Sequence, residues 1–587
     1  MMKMTCLSVA MAAGTLLAEP VIPVYDLAGM LTESGNVPSG LFEFDTNPHR
    51  PLTHFDVVRS LEKAAADEEI PAVVLEVDQA AISLAQLEEI RRGLLDIREA
   101  GKEVWLYTDS LNSQTALLGS AATHLTLNPE GDVSLSGLFA ESMYFKGLLD
   151  KAGIVADVVH IGDFKSAGEN FYRTGPSKAA EKQSQELFDS IHNTLLTEIA
   201  VGRGITRDSL ASLVDQGFVT AEEAKAKNLV DRLQYRTDFV NELQDLYSNL
   251  EFKPDYARGE SSEPEIDSML DLMKLMFSSG EKSSPEEEYV AVVALDAGIT
   301  FESISPVRDE ILAATDDEMC RALVLRVNSP GGSALASEIL WEATEEFSRT
   351  GRPFLVSMGA VAASGGYYVS SAADEIFAEP ATITGSIGVV GMKLAMGGAL
   401  EKLGITTHEM KRGDHADIYN STRPFTKQER TIIRNSMLDV YRTFKQRILD
   451  GRGHKLAKDL EKLAGGRVYT GSDALRLGLV DELGGLNEAI ARAVELSDID
   501  SPRAILLPEP TSPLDNLFNQ EPEKSSDEFI SMQTRTDSLN IESLLTINPL
   551  LQSLPETKAR QIREALATLR SFEAERVQLI APPIPTY

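Results

Sequence analysis

Three short stretches in the second half of the chain carry residue types suited to acyl chemistry. Asn328-Ser329-Pro330-Gly331-Gly332-Ser333 follows an apolar run and reads as a turn at a strand end. Paired glycines there leave backbone N–H groups unobstructed, so Gly331 and Gly332 are candidate oxyanion donors. Met358-Gly-Ala-Val-Ala-Ala-Ser364-Gly365-Gly366-Tyr367 sets one serine among small residues at a helix start, with the Gly365 N–H next to it. Thr384-Gly385-Ser386-Ile387-Gly388 is a third small-residue turn. Any one of these alone reads equally well as a plain turn or a packing contact. Together they describe a serine nucleophile, Ser364, facing a backbone oxyanion hole. Such a serine needs a base. No histidine lies between Ser364 and His408, which leaves lysine as the usual substitute.

The elements that must position these residues come as a tandem repeat. Val73–Asp78 matches Leu323–Asn328, Ala121–Pro129 matches Ala372–Pro380, Lys151–Ile154 matches Lys402–Ile405, and Asn228–Asp231 matches Gly478–Asp481. Every pair is 250 or 251 residues apart, the mark of a duplicated domain. In the second copy Tyr289–Leu295, Met319–Val327 and Pro353–Met358 read as strands, and Ala334–Ser348 and Ala362–Ala373 as helices. Buried apolar strands alternating with helices predict a parallel α/β core.

The copies have degenerated in complementary ways. Asp163-Phe-Lys165-Ser-Ala-Gly-Glu169 aligns Lys165 with Ala416. Conversely, Ser364 aligns with Ser113, which lacks the glycine pair, and Gly331-Gly332 aligns with Ala81-Ile82. The second copy therefore keeps nucleophile and loop without a base, and the first keeps a lysine without the loop. Lys165 is the candidate base, with Lys411 as its rival. A free lysine has a pKa of about 10.4 and is a poor base at neutral pH; burial between the repeats would lower it. The apolar, glycine-rich segment Ile387–Met396 is the expected substrate groove. This chemistry requires no cofactor, neither metal nor nucleotide.

The first two motifs resemble those of the Clp protease subunit and the wider crotonase-like fold. Over residues 21–495 the chain is similar to the long, tandem-repeat form of the signal peptide peptidase family (SppA, or protease IV). The resemblance rests on Asn-Ser-Pro-Gly-Gly-Ser, Ala-Ala-Ser-Gly-Gly-Tyr-Tyr, Thr-Gly-Ser-Ile-Gly and Asp-Phe-Lys-Ser-Ala. It implies two tandem crotonase/Clp-like α/β repeats with parallel sheets, Ser364 as nucleophile, Lys165 as base and Ser386 beside the lysine. It further implies a membrane-associated serine protease that degrades cleaved signal peptides and assembles as a homotetrameric bowl. Two alternatives stay open. A crotonase-like acyl-CoA enzyme would use the same loop with an acidic base and basic contacts to the CoA phosphates. A non-catalytic scaffold would keep the fold alone.

Composition narrows the partners. With 55 Lys and Arg against 90 Asp and Glu, the 587-residue chain has a formal net charge of -35. So acidic a surface repels phosphate and argues against nucleic acid. The two cysteines, Cys6 and Cys320, can build neither a disulfide framework nor a zinc site. Lys3, the apolar stretch Cys6–Leu17 and Ala18 resemble a secretory leader, so export to the periplasmic side of the cell envelope is expected, with the membrane surface in reach. The expected organisation is a leader, signal peptide or short anchor, at 1–20 and a repeat supplying the lysine at 21–250. An acidic linker with one helix (251–288), the repeat supplying the serine (289–495), and a polar linker with a helical tail (496–587) follow.

Overall fold

The computed structural model describes residues 21–27, 29, 31–34, 52–77, 82–258, 285, 287–499, 503–508, 556–574 and 577–582. The expected leader, the linker helix built on Ile266, Met269, Leu270, Met273 and Phe277, and the loop position Ala81 lie outside these residues.

The first repeat forms a sheet from β1 (Val21–Asp26), β2 (Ala72–Glu76), β3 (Glu103–Asn112) and β4 (His124–Ser134). Three short strands, β6 (Phe218–Val219), β7 (Arg232–Leu233) and β8 (Glu251–Lys253), complete it, while β5 (Val155–Ile161) leaves for another sheet. The order is β6-β4-β3-β2-β1-β8, with β7 on β4. The second repeat contributes β9 (Tyr289–Leu295), β10 (Cys320–Ser329), β12 (Phe354–Ala363), β13 (Glu375–Ala378) and β14 (Ile383–Gly385). With β16 (Val468–Thr470), β17 (Glu482–Leu483) and β18 (Arg503–Leu507), its order is β16-β14-β12-β10-β9-β18, with β13 pairing β12 and β17. The two orders correspond strand for strand, as a duplication requires. All seven residues of β9 are buried, because a parallel sheet covered on both faces admits an unbroken apolar strand.

Both sheets reach beyond the expected boundaries. β8 pairs with β1 past residue 250, and β18 pairs with β9 past residue 495. The helix expected over Ala362–Ala373 is shorter, Gly365–Ser370, and its first residues belong to a strand. Val361, Ala362 and Ala363 pair in parallel with Ile383, Thr384 and Gly385, and this ladder overrides the helix preference of alanine.

A third, four-stranded sheet stitches the halves together in the order β11-β19-β15-β5, where β11 is Gly331–Ser333, β15 is Val389–Ala395 and β19 is Gln578–Ile580. β5 of the first repeat runs antiparallel to β15 of the second over seven residue pairs. The segment expected as an open groove is thus mostly a buried central strand: Val389 and Val390 are inaccessible, and one edge is taken by β5. Met392, Leu394 and Met396 line only a small cavity of about 130 Å³.

The helices α1 (His54–Ala66), α2 (Leu84–Glu99) and α3 (Ser113–Gly119) belong to the first repeat. α2 faces the second repeat through charge. Arg326, 1% exposed, bonds both oxygens of Glu33 at 3.0 Å and Glu89 at 2.6 Å. A buried cation with paired carboxylates is tolerated because each partner replaces lost water; removing one leaves an uncompensated charge.

Candidate active site

Ser364 closes β12 at a turn that few non-glycine residues adopt, with φ +56° and ψ −109°. Its N–H donates to Gly385 O at 2.7 Å, so the end of β14 fixes the turn. Gly365 opens the following helix, whose first-turn amides have no intrahelical acceptor. Gly331 lies against it: a Cβ on Gly331 would stand 2.5 Å from Gly365 N, and the residue has φ +92°. Only glycine permits that approach. Gly331 O accepts from Ile299 N at 3.0 Å and Ser333 N donates to Ile299 O at 2.8 Å, which holds the loop rigid. Gly331 and Gly365 are therefore brought together next to Ser364, while Gly332, the next residue of the loop, lies against Ile299.

Lys165 reaches the same place from the other repeat. β5 ends at Ile161, and Phe164 N donates to Gly465 O of the second repeat at 2.9 Å. The chain passes so close to Gly466 that a Cβ there would stand 2.4 Å from Lys165 N. Lys165 Nζ lies 2.7 Å from Ser364 Oγ, 2.9 Å from Ser386 O and 3.0 Å from Ser386 Oγ. Lysine and serine are 199 residues apart in sequence and 1% and 0% exposed. Burial is the one cause that moves the lysine, and it pushes the amine well below its ordinary range. Ser386 has φ +54° and is held by its own N–H to Arg467 O at 2.6 Å.

The rivals lie elsewhere. Lys411 is exposed and pairs with Asp417 at 2.8 Å. Ser113 opens α3 in the first repeat without a glycine loop beside it. Sequence reasoning missed the Gly465-Gly466-Arg467 loop, which supports both Lys165 and Ser386; its glycine doublet was the available signal. It also missed β19, which pairs antiparallel with Gly331–Ser333 and whose neighbour Ala581 donates to Pro330 O at 2.7 Å. Its three residues carry no periodic signal.

A buried serine against a buried lysine and a glycine loop is the equipment of acyl transfer, and comparison with known proteins gives the family of the chain that holds it. The description "Peptidase family S49" matches the chain twice, at residues 96–250 and 346–500, once in each repeat. The chain belongs to peptidase family S49. Protease 4 of Haemophilus influenzae is 32% identical to it over 469 residues, covering 76% of this chain and 73% of that protein. Protease 4 of Salmonella typhi is 30% identical, over 76% and 72%. Serine protease SPPA, chloroplastic, of Arabidopsis thaliana is 29% identical, over 78% and 67%. This tandem S49 chain is thus a protease of the Protease 4/SPPA kind. Among its described residues no helix is long and apolar enough to cross a membrane.

Proposed function

We propose that the chain is a serine endopeptidase using a Ser364–Lys165 dyad to degrade hydrophobic peptides, such as cleaved signal peptides, on the periplasmic side of the cell envelope. The observation that carries the reading is the 2.7 Å contact between Lys165 Nζ and Ser364 Oγ in a site closed to water. A neutral amine has two hydrogens and one lone pair. Ser386 O and Oγ accept the two hydrogens, which leaves the lone pair for the Ser364 hydroxyl. Lys165 takes the serine proton as Ser364 Oγ attacks the peptide carbonyl. Gly365 N–H and an N–H of Gly331 or Gly332 hold the oxyanion, each such donor being worth about 10²–10³ in rate. Lys165 then protonates the leaving amine, and water enters by the reverse sequence. An extended peptide would add to the edge of β11, where β19 makes the same kind of pairing.

The repeat also supports self-assembly, which we propose as a homotetramer. The β5–β15 contact has a repeat-shifted counterpart, residues 406–412 against 138–144, that forms no strand within one chain. Phe139 and Met410 in those segments are 79% and 87% exposed. Pairing them between neighbours would be head-to-tail and would close a ring.

The test is steady-state hydrolysis of a leucine-rich peptide by purified variants. Ser364→Ala abolishes turnover and Ser113→Ala keeps most of it; equal loss in both overturns the assignment.

A further inference from the structure

Between the repeats lies a second set of buried ionisable groups that the chemistry above does not use. Glu88 and Arg92 project from α2 of the first repeat onto the turn after β13 of the second. Arg92 binds both oxygens of Glu379, at 2.5 and 2.6 Å, and reaches Glu488 at 3.0 Å. Glu88 Oε2 accepts from Ala381 N at 2.9 Å. Glu88 is 4% exposed and Glu379 is inaccessible. The Glu88 Oε1 atom is buried and has no hydrogen-bond partner.

The turn held in this way leads along the chain into the site. Thr382 N donates to Glu379 O at 3.0 Å, and Thr382 Oγ1 donates to Gly359 O at 2.7 Å. The chain then enters β14, only three residues long. Its last residue, Gly385, accepts from Ser364 N, and the next, Ser386, accepts twice from Lys165. β14 is paired with β12 on one side and β16 on the other, but over only three residues each, so what holds its ends also bears on where it sits. One end touches both reacting groups. The other is held by the first repeat.

We propose that Glu88 and Arg92 are positioning residues: by gripping Glu379 and Ala381 across the repeat interface they set β14, and so aim Ser386 and Gly385 at Lys165 and Ser364. This rests on the dyad reading and deepens it, since the first repeat then supplies the clamp on the second as well as the base.

The clamp carries a proton. Glu88 faces Glu379, Glu198, Arg92 and Arg91; Glu379 faces Glu88, Glu89, Arg92 and Glu488. Burial and then the neighbouring Glu379 push Glu88 well above the ordinary carboxylate range, and burial pushes Glu379 up to about 8 against the pull of Arg92. The pair therefore holds a proton at neutral pH; Arg92 occupies both Glu379 oxygens, and Glu88 has the unpartnered Oε1 on which that proton can sit. In alkaline solution that proton leaves, two buried carboxylates face each other, and the turn moves.

The experiment compares full-length wild type, Glu88→Ala, Glu88→Gln and Ser364→Ala on a leucine-rich peptide, with kcat and KM measured from pH 6 to 10. Glu88→Ala removes the acceptor for Ala381 N–H and is expected to lower kcat about 10–100-fold with KM within about twofold, the scale of a 1 Å misplacement. Glu88→Gln keeps an acceptor and cannot ionise. It is expected to restore most of the neutral-pH kcat and to abolish the fall that wild type shows on the alkaline side. Unchanged kcat in Glu88→Ala, or an alkaline fall in Glu88→Gln equal to that of wild type, overturns the proposal while the dyad reading stands. If Glu88→Ala does not fold, the Glu88→Gln profile decides alone. Full activity in Ser364→Ala overturns the dyad reading, and this proposal with it.

Discussion

Replacing Lys165 by methionine separates what the amine does for stability from what it does for turnover. Methionine is of similar length and apolar, so it fills the buried site without a group to desolvate. An ordinary lysine is neutral in roughly one molecule in 2,500 at pH 7, from a pKa of about 10.4. In the fold, burial lowers the amine well below that range. Between the folded and the ordinary value the unfolded chain binds one proton that the folded chain does not. Wild-type stability therefore rises with pH through that window, by about 1.4 kcal/mol per pH unit, and levels off at the ordinary value. Lys165→Met lacks the group, and every other titration is common to both chains and cancels in the difference. The stability difference, variant minus wild type, should thus shrink by about 1.4 kcal/mol between pH 8 and pH 9. Urea unfolding followed by fluorescence can read this, because Trp105 is buried in the first repeat and Trp341 in the second, and the two are the only tryptophans. On the activity side, loss of the general base should lower kcat by about 10²–10⁴-fold, or roughly 3–5 kcal/mol of barrier. A stability difference that stays flat from pH 7 to pH 9 would mean that Lys165 is charged in the fold, and the base assignment would fall.

Lys411→Ala should leave kcat/KM within about twofold, since that side chain is exposed and bound to Asp417; a dead variant would contradict the dyad. Residues 289–587 expressed alone lack β5 and Lys165, so no peptide hydrolysis is expected, and an active fragment would show that the first repeat does not supply the base. Matched peptides with Leu or Glu near the cleavage point should differ in kcat/KM in favour of Leu, because a chain of net charge -35 repels acidic peptides; preference for Glu would refute this. Leu579→Asp places a charge at an inaccessible position of β19 and should free the edge of β11, speeding serine-directed fluorophosphonate labelling of Ser364; unchanged labelling would show that β19 does not limit access.

Much of the molecule was legible in the chain. The constant spacing between the halves survives divergence because each half must bury the same strands and helices, and the two sheets repeat the same order. The glycines at 331, 332 and 365 were readable because backbone crowding permits nothing larger, as the 2.5 Å approach at Gly331 shows. The location of the lysine was readable from the complementary losses of Lys165 against Ala416 and of Gly331-Gly332 against Ala81-Ile82. Other features were decided by the tertiary structure alone. The alanines before Ser364 favour helix locally, and only pairing with β14, some twenty residues on, makes them strand. The β5–β15 contact joins strands more than 200 residues apart, and β19 returns from the far end of the chain to cover β11. Pairing between distant strands leaves no period in either one. Glu88, Arg92 and Arg326 look like ordinary surface charges in a chain rich in acids. The burial of Glu88 and Arg326, and the half-burial of Arg92, follow from how two repeats meet, and that depends on the shape of both surfaces at once rather than on any local run of residues.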